Sequence, residues 1–352
     1  MIVEDIIAGR RSIPVSVLTG FLGSGKTTLL NRLLQLPELG DSAVLVNEFG
    51  EVGLDHLLVS EVSENIVLLQ SGCLCCTVRG DLVEALRDLF MKLLRGEIPP
   101  FSRIAIETTG LADPAPIVHT LMTDPLLRER FRLAGVTTTV DAEHGGMQLD
   151  RHEESTRQAA IADRLVLTKL DRVADGAKAL RTRLRSLNPH AEIVGSEQAA
   201  RTAETLFLDA TSPERHLEAV RRIEDAAVVE HDHHHHDHHH HGHIDRHGYA
   251  SVCLGSAQPL DWDRLMAWLE ALLTEHGPDV LRIKGILDVA GQDAAVVIQG
   301  VQHVFYPTSF LPDRRGVENG SRIVVIHRGL DAGALEQGFR QDVLEPAAPE
   351  HA

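Results

Sequence analysis

The 352-residue sequence is short of positive charge, of cysteine and of long apolar runs. No apolar stretch reaches the roughly 18–20 residues a helix needs to cross a bilayer, which excludes a membrane-spanning helix. Lys and Arg number 34 against 51 Asp and Glu, a net charge of −17. Such a chain lacks the basic face that phosphate backbones require, so nucleic acid is not an expected partner. Four cysteines are too few for a disulfide framework. The opening MIVEDIIAGRRSIPVSV puts acids ahead of its basic pair and carries no cleavage pattern, so a secretory signal is not expected and a cytoplasmic location is.

What remains is ordinary for a globular protein with a packed core: 43% hydrophobic and 24% charged residues. The length suggests one large or two modest domains. Short, nearly continuous apolar runs alternate with helical patterns over the first two-thirds, the signature of a parallel sheet covered on both faces. The pattern predicts strands at 13–19, 43–47, 66–69, 103–107, 135–140 and 164–168, and helices at 26–35, 80–94, 115–122, 153–162 and 175–187. A charged, His-rich linker is expected over 212–247, between an α/β domain at 12–211 and a small α+β domain at 248–343. In the latter, 294–306 reads as strand and Cys253 as core.

The segment GFLGSGKT, Gly20 to Thr27, fits GxxxxGK[ST] and lies between a predicted strand and a predicted helix. The expected fold class is therefore α/β, a P-loop NTPase with a mostly parallel sheet. Gly20, Gly23, Ser24 and Gly25 would turn backbone N–H groups around phosphate oxygens at a helix N-terminus, with Thr28 following. Lys26 would bridge the β- and γ-phosphates, and the Thr27 hydroxyl would bind Mg²⁺. Glu107 ends a strand and precedes Thr108, Thr109 and Gly110. Its carboxylate is positioned either for Mg²⁺ or for the attacking water, and Gly110 can lend an N–H to the γ-phosphate. Thr168-Lys169-Leu170-Asp171 is similar to the guanine-reading NKxD signature. Asp171 would accept N1–H and N2–H₂ of guanine while the Lys169 stem lies along the base, which favours GTP over ATP. Thr168 in place of Asn is expected to lose amide contacts that hold this loop together.

Cys73, Cys75 and Cys76 fall within four residues, after a predicted strand. Alternate residues of an extended segment face one way, so Cys73 and Cys75 can converge on an ion, and Cys76 joins through a turn. Thiolates suit Zn²⁺, Cu⁺ or, less well, Co²⁺. Two or three ligands leave the shell open, as an ion that is picked up and released requires. Upstream, Glu48, Glu51 and Asp55 sit in an acidic, Gly-punctuated loop in the chain position of a switch; each is a candidate to approach Mg²⁺ or the thiolate-held ion. Eleven of the 21 histidines lie between His231 and His247. The runs His233, His234, His235, His236 and His238, His239, His240, His241 suit weak, exchangeable metal buffering.

The phosphate loop, NEFGEVGLD, GCLCC, IETTGLADP, TKLD and a His-rich insert ahead of a second domain together resemble the CobW-type family of metal-chaperone GTPases. RIKGIL (282–287) and IQGVQHVF (298–305) resemble that family's C-terminal domain, so the likeness covers residues 12–340. The resemblance implies a GTPase with a thiolate metal site coupled to its nucleotide. It further implies delivery of a transition metal to a client metalloprotein or a metal-cofactor biosynthetic enzyme. Zn²⁺ is the preferred cargo and Glu51 a further ligand. The alternatives are cobalt delivery for cobalamin biosynthesis, or a GTP-dependent metal store or sensor without a client.

Overall fold

The computed structural model describes residues 5–6, 11–46, 67–70, 78–207, 212, 215, 217–218, 222, 245–311, 316–318 and 320–345. The predicted ligands Glu48, Glu51, Asp55, Cys73, Cys75 and Cys76 and the histidines from His233 to His241 lie outside these residues. The chain divides into two compact units, Met1–Arg181 with Ala191–Ala210, and Thr182–His190 with Thr211–Ala352.

The first unit is built on seven strands: β1 (Ile13–Gly20), β2 (Ser42–Val46), β3 (Val67–Gln70), β4 (Arg103–Glu107), β5 (Phe131–Asp141), β6 (Arg164–Thr168) and β7 (Glu192–Gly195). Their order across the sheet is β3-β2-β4-β1-β5-β6-β7, and every pairing is parallel. Helices α1 (Lys26–Leu34), α2 (Val78–Arg95), α3 (Ala115–Thr123), α4 (Pro125–Arg130), α5 (Gly145–Arg151), α6 (Glu153–Ile161) and α7 (Lys178–Leu187) connect them. Because helices cover both faces, Val15, Val17 and Leu18 of β1 are all fully buried, although their side chains alternate across the sheet. The chain crosses β1 in passing from β4 to β5, so the strand order reverses there. In open α/β sheets the ligand crevice lies outside the carboxyl ends of the strands at such a point.

The register fixes what meets at that edge. Leu18 and Val46 both align with Glu107, and Val46 aligns with Gln70. On the other side Gly20 aligns with Thr139, and Asp141 with Thr168. Strand β5 begins at Phe131, four residues before the predicted start, because polar Arg132 pairs with Pro14 of β1 instead of ending the strand. Its threonines are buried yet satisfied: Thr137 Oγ1 donates to Thr205 O at 2.6 Å and Thr138 Oγ1 to Gln158 O at 2.9 Å.

The second unit carries an antiparallel sheet in the order β11-β10-β9-β13-β8, with β12 paired to β10. These strands are β8 (Tyr249–Ser256), β9 (Val280–Leu287), β10 (Ala295–Val301), β11 (Val304–Phe305), β12 (Ser309–Leu311) and β13 (Ser321–Arg328). Helices α8 (Trp262–His276) and α9 (Ala332–Gly338) complete it. Leu265, Trp268 and Leu269 of α8 pack with Val252, Ile283, Val296 and Ile323 in its core. The single strand predicted over 294–306 is a hairpin: Val301 pairs with Val304, and Gln302 takes φ 51° in the two-residue turn. Cys253 is exposed, contrary to the core position expected for it. Its neighbours Val252 and Leu254 carry the core face of β8, and alternation turns Cys253 the other way.

Candidate functional site

Strand β1 ends in Gly20 at φ 142°, where a β-carbon would fall on the Thr139 hydroxyl and carbonyl. Only glycine lets β1 and β5 approach this closely. The loop continues through Gly23 (φ 68°) and Gly25 (φ 89°), and Gly25 precedes the first residue of α1. Ser24 is buried, with its hydroxyl 2.7 Å from Thr139 Oγ1. The result is a turn that ends at a helix N-terminus, where free N–H groups and the helix dipole favour an anion.

Lys26 is 9% exposed, and its ammonium donates to Gly20 O at 2.9 Å and to Phe21 O at 3.3 Å. It therefore folds back over the loop it follows. A phosphate, carrying full negative charge, would compete for the ammonium against carbonyls that offer only a dipole. Thr27 Oγ1 donates to Glu107 Oε1 at 2.6 Å, joining the start of α1 to the end of β4. A hydroxyl and a carboxylate in contact form the hard oxygen donor set that suits Mg²⁺. Thr28 is exposed on α1. Gly110 is buried, and a β-carbon there would lie 2.6 Å from Leu22 N, so the loop after β4 rests directly on the phosphate loop.

On the other flank, Thr168 Oγ1 lies 2.8 Å from Ser24 O and 3.3 Å from Val140 O. Whatever amide contacts an Asn would make here, the Thr168 hydroxyl itself ties β6 to the phosphate loop. Lys169 takes φ 54° and donates to Gly23 O at 2.8 Å and Asp141 Oδ2 at 2.6 Å. Asp171 stands exposed in the 3-10 turn Leu170–Arg172 that follows.

Asp141 went unnoticed in the sequence. It closes β5, is 2% exposed, and accepts from Lys169 and from the N–H groups of Glu143 and His144. Burial opposes its charge, yet these hydrogen bonds, Lys169's first, outweigh that and hold its carboxyl below the usual range. The rule that singled out Glu107, an acid ending a buried strand beside the phosphate loop, would have found it. Asp141, Glu143 and His144 bring ligand atoms within 4.8 Å of one another. Lys169 already neutralises Asp141, and Arg172 pairs with Glu143 at 3.3 Å, so a cation would have to displace both.

A phosphate cradle, a hydroxyl–carboxylate pair and a lysine-bearing loop thus surround one carboxyl-end crevice. The model of the CobW/HypB/UreG nucleotide-binding domain matches residues 14–195. The chain belongs to this family. The model of the cobalamin synthesis protein cobW C-terminal domain matches residues 249–342. The zinc chaperone YjiA of Escherichia coli (strain K12) is 34% identical, with 83% of this chain and 87% of that protein aligned. The zinc chaperone CobW of Sinorhizobium sp is 31% identical over 91% of this chain and 94% of its own length. The crystal structure of Zn(II)-bound YjiA GTPase from E. coli has a TM-score of 0.71 at 27% identity, covering 94% of this chain and 99% of that one. This CobW-family protein is a GTPase with the P-loop NTPase fold, followed by an antiparallel-sheet domain. Among its described residues no helix is long and apolar enough to cross a membrane.

Proposed function

We propose that this GTPase is a cytoplasmic zinc metallochaperone that holds Zn²⁺ on Cys73, Cys75 and Cys76, with Glu51 as a further ligand. GTP hydrolysis would time its release to a client metalloprotein. Likeness to relatives named as zinc chaperones supports zinc over cobalt as cargo. The histidines His233–His236 and His238–His241 would buffer metal.

In this reading Gly20, Gly23, Ser24 and Gly25 present backbone N–H groups to the phosphates, and Lys26 leaves its carbonyl partners to bridge the β- and γ-phosphates. Thr27 and Glu107 would hold Mg²⁺, which when bound neutralises charge on the phosphates. Their 2.6 Å contact favours a metal-holding Glu107 over one that addresses the water. Gly110 senses the terminal phosphate from its seat on Leu22. Lys169, held by Asp141, lies along the guanine that Asp171 reads.

The observation that carries the coupling is the row Gln70–Val46–Glu107 across β3, β2 and β4. Two strand spacings, about 10 Å, separate Gln70 from Glu107. The three cysteines follow Gln70 within six residues. Metal and terminal phosphate then draw on neighbouring segments of one sheet edge, and linkage requires that each tighten the other by the same factor. Competition of a Zn²⁺ chelator against the protein, with a nonhydrolysable GTP analogue or with GDP, tests this. Tighter Zn²⁺ binding with the analogue is expected; equal affinities would falsify the coupling. Cys75→Ala should remove the tight Zn²⁺ site and leave nucleotide affinity nearly intact.

A further inference from the structure

Gln158 belongs to no motif, yet it is 1% exposed in the middle of α6 and directed at the loop that follows β4. Its Nε2 donates to Gly110 O at 3.1 Å and to Ala112 O at 2.9 Å. Two carbonyl acceptors require the amide nitrogen to face them. That leaves Oε1 buried, with no hydrogen-bond partner among the described residues. The preceding residue reinforces the grip: Arg157 Nη1 donates to Asp113 Oδ2 at 2.8 Å, while Asp113 Oδ1 accepts from Ala115 N at the start of α3. At the loop's other end Thr108 Oγ1 donates to Thr19 Oγ1 at 2.8 Å. The Thr109–Leu111 peptides thus lie between two anchored ends, with Gly110 against Leu22.

We infer that Gln158 is a positioning residue for recognition of the terminal phosphate, holding the Gly110–Ala112 turn in either of two arrangements. A buried acceptor left without a donor calls for an explanation, and the chemistry of the carboxamide supplies one. It carries donors on one side and an acceptor on the other. In a planar peptide C=O and N–H point oppositely. If the Gly110–Leu111 peptide turns over, the Leu111 N–H comes to where the Gly110 carbonyl lay, and a rotated Gln158 amide accepts it through Oε1. Bonded through Nε2 in one arrangement and through Oε1 in the other, the same side chain can hold the Gly110–Leu111 peptide in either, the second at the expense of the Nε2 contact to Ala112 O. Glutamate accepts only and would oppose the carbonyls; methionine fills the space and holds neither arrangement.

This inference rests on the reading of Gly110 as terminal-phosphate sensor. The test measures affinity for a nonhydrolysable GTP analogue and for GDP, and steady-state hydrolysis, in Gln158→Met, Gln158→Glu and Gly110→Ala. Both Gln158 variants should change the analogue-to-GDP affinity ratio by about fivefold or more, the lower range of allosteric couplings. Hydrolysis should lose kcat more than it gains KM. A folded Gln158→Met with an unchanged ratio overturns the inference. If Gly110→Ala shifts the ratio in that case, the sensor reading survives; if it too leaves the ratio unchanged, that reading fails as well. Should both Gln158 variants fail to fold, hydrogen exchange of the unaltered chain decides. Different protection of the Leu111 and Ala112 amides with analogue and with GDP supports two arrangements, and equal protection overturns them.

Discussion

Replacing Thr168 by valine removes one hydroxyl and nearly preserves volume, so it isolates what that hydroxyl does. Thr168 is 6% exposed, and the shorter of its two contacts, 2.8 Å to Ser24 O, takes its single proton. That oxygen belongs to the peptide joining Ser24 to Gly25, whose N–H points the opposite way. Anchoring the carbonyl to β6 therefore aims the Gly25 N–H away from β6, toward the mouth of the phosphate loop. Valine leaves a buried carbonyl without its donor, a loss of about 1–3 kcal/mol, and no cavity adds to it. Melting of the nucleotide-binding unit should fall by about 2–8 °C for 1–2 kcal/mol. The misaimed N–H acts on phosphates that GDP and GTP share, so fluorescence titration should show both nucleotides bound about tenfold more weakly, or ~1.4 kcal/mol. Thr168→Asn, which restores a donor, should stay within about twofold of the parent. If valine lowers the melting temperature while both affinities hold, the hydroxyl serves stability alone and the reasoning is refuted.

Asp141→Asn should weaken GDP and GTP binding alike by about tenfold, because Lys169 loses its charged partner while Asn still accepts the turn N–H groups. The Asp141 carboxyl titrates below its unfolded value, so its contribution to stability is present above about pH 4 and lost as pH falls through the folded value. Urea midpoints should accordingly drop more steeply on acidification in the parent than in Asp141→Asn; parallel pH profiles would count against the pairing. Gly20→Ala should lose about 2–5 kcal/mol from overpacking on Thr139 and backbone strain. A variant as stable as the parent would show that β1 and β5 do not approach as described.

Legibility in the sequence followed the range of the interactions. The turn from Gly20 to Gly25 with Lys26 folded back on Gly20 O is legible because the spacing of the motif encodes contacts a few residues apart, whereas the packing of Gly20 on Thr139 is not. Strands β4 and β6 were placed to the residue by apolar runs ending in polar groups. Glu107 was readable as an acid at a strand end, but its partner Thr27 lies 80 residues away and appears only when β4 docks beside β1. The contact of Thr168 with Ser24 is invisible in the motif for the same reason. A motif compares residue types, whereas the bond to Ser24 depends on where β6 sits. Gln302 illustrates a local limit: nothing in its side chain announces φ 51°, so one strand was expected where a hairpin forms. Gln158 was invisible because its acceptors are backbone carbonyls, which every residue carries.

The phosphate loop is held from two flanks by chemically distinct contacts. From β6, the Thr168 hydroxyl and Lys169 ammonium take the carbonyls of Ser24 and Gly23. From the loop after β4, Gly110 abuts the backbone of Leu22, and Gln158 supports Gly110 from behind. The first flank acts on loop atoms that meet any guanine nucleotide, so disturbing it changes the affinities for GDP and GTP together. The second acts where a terminal phosphate would be sensed, so disturbing it changes their ratio. Reciprocity ties metal to nucleotide only through differences between nucleotide states. A change that weakens both states equally leaves the zinc coupling untouched, however large it is. The proposed coupling therefore runs through the loop after β4 and the β3–β2–β4 edge beside it, and the loop proposed to read guanine stands outside it.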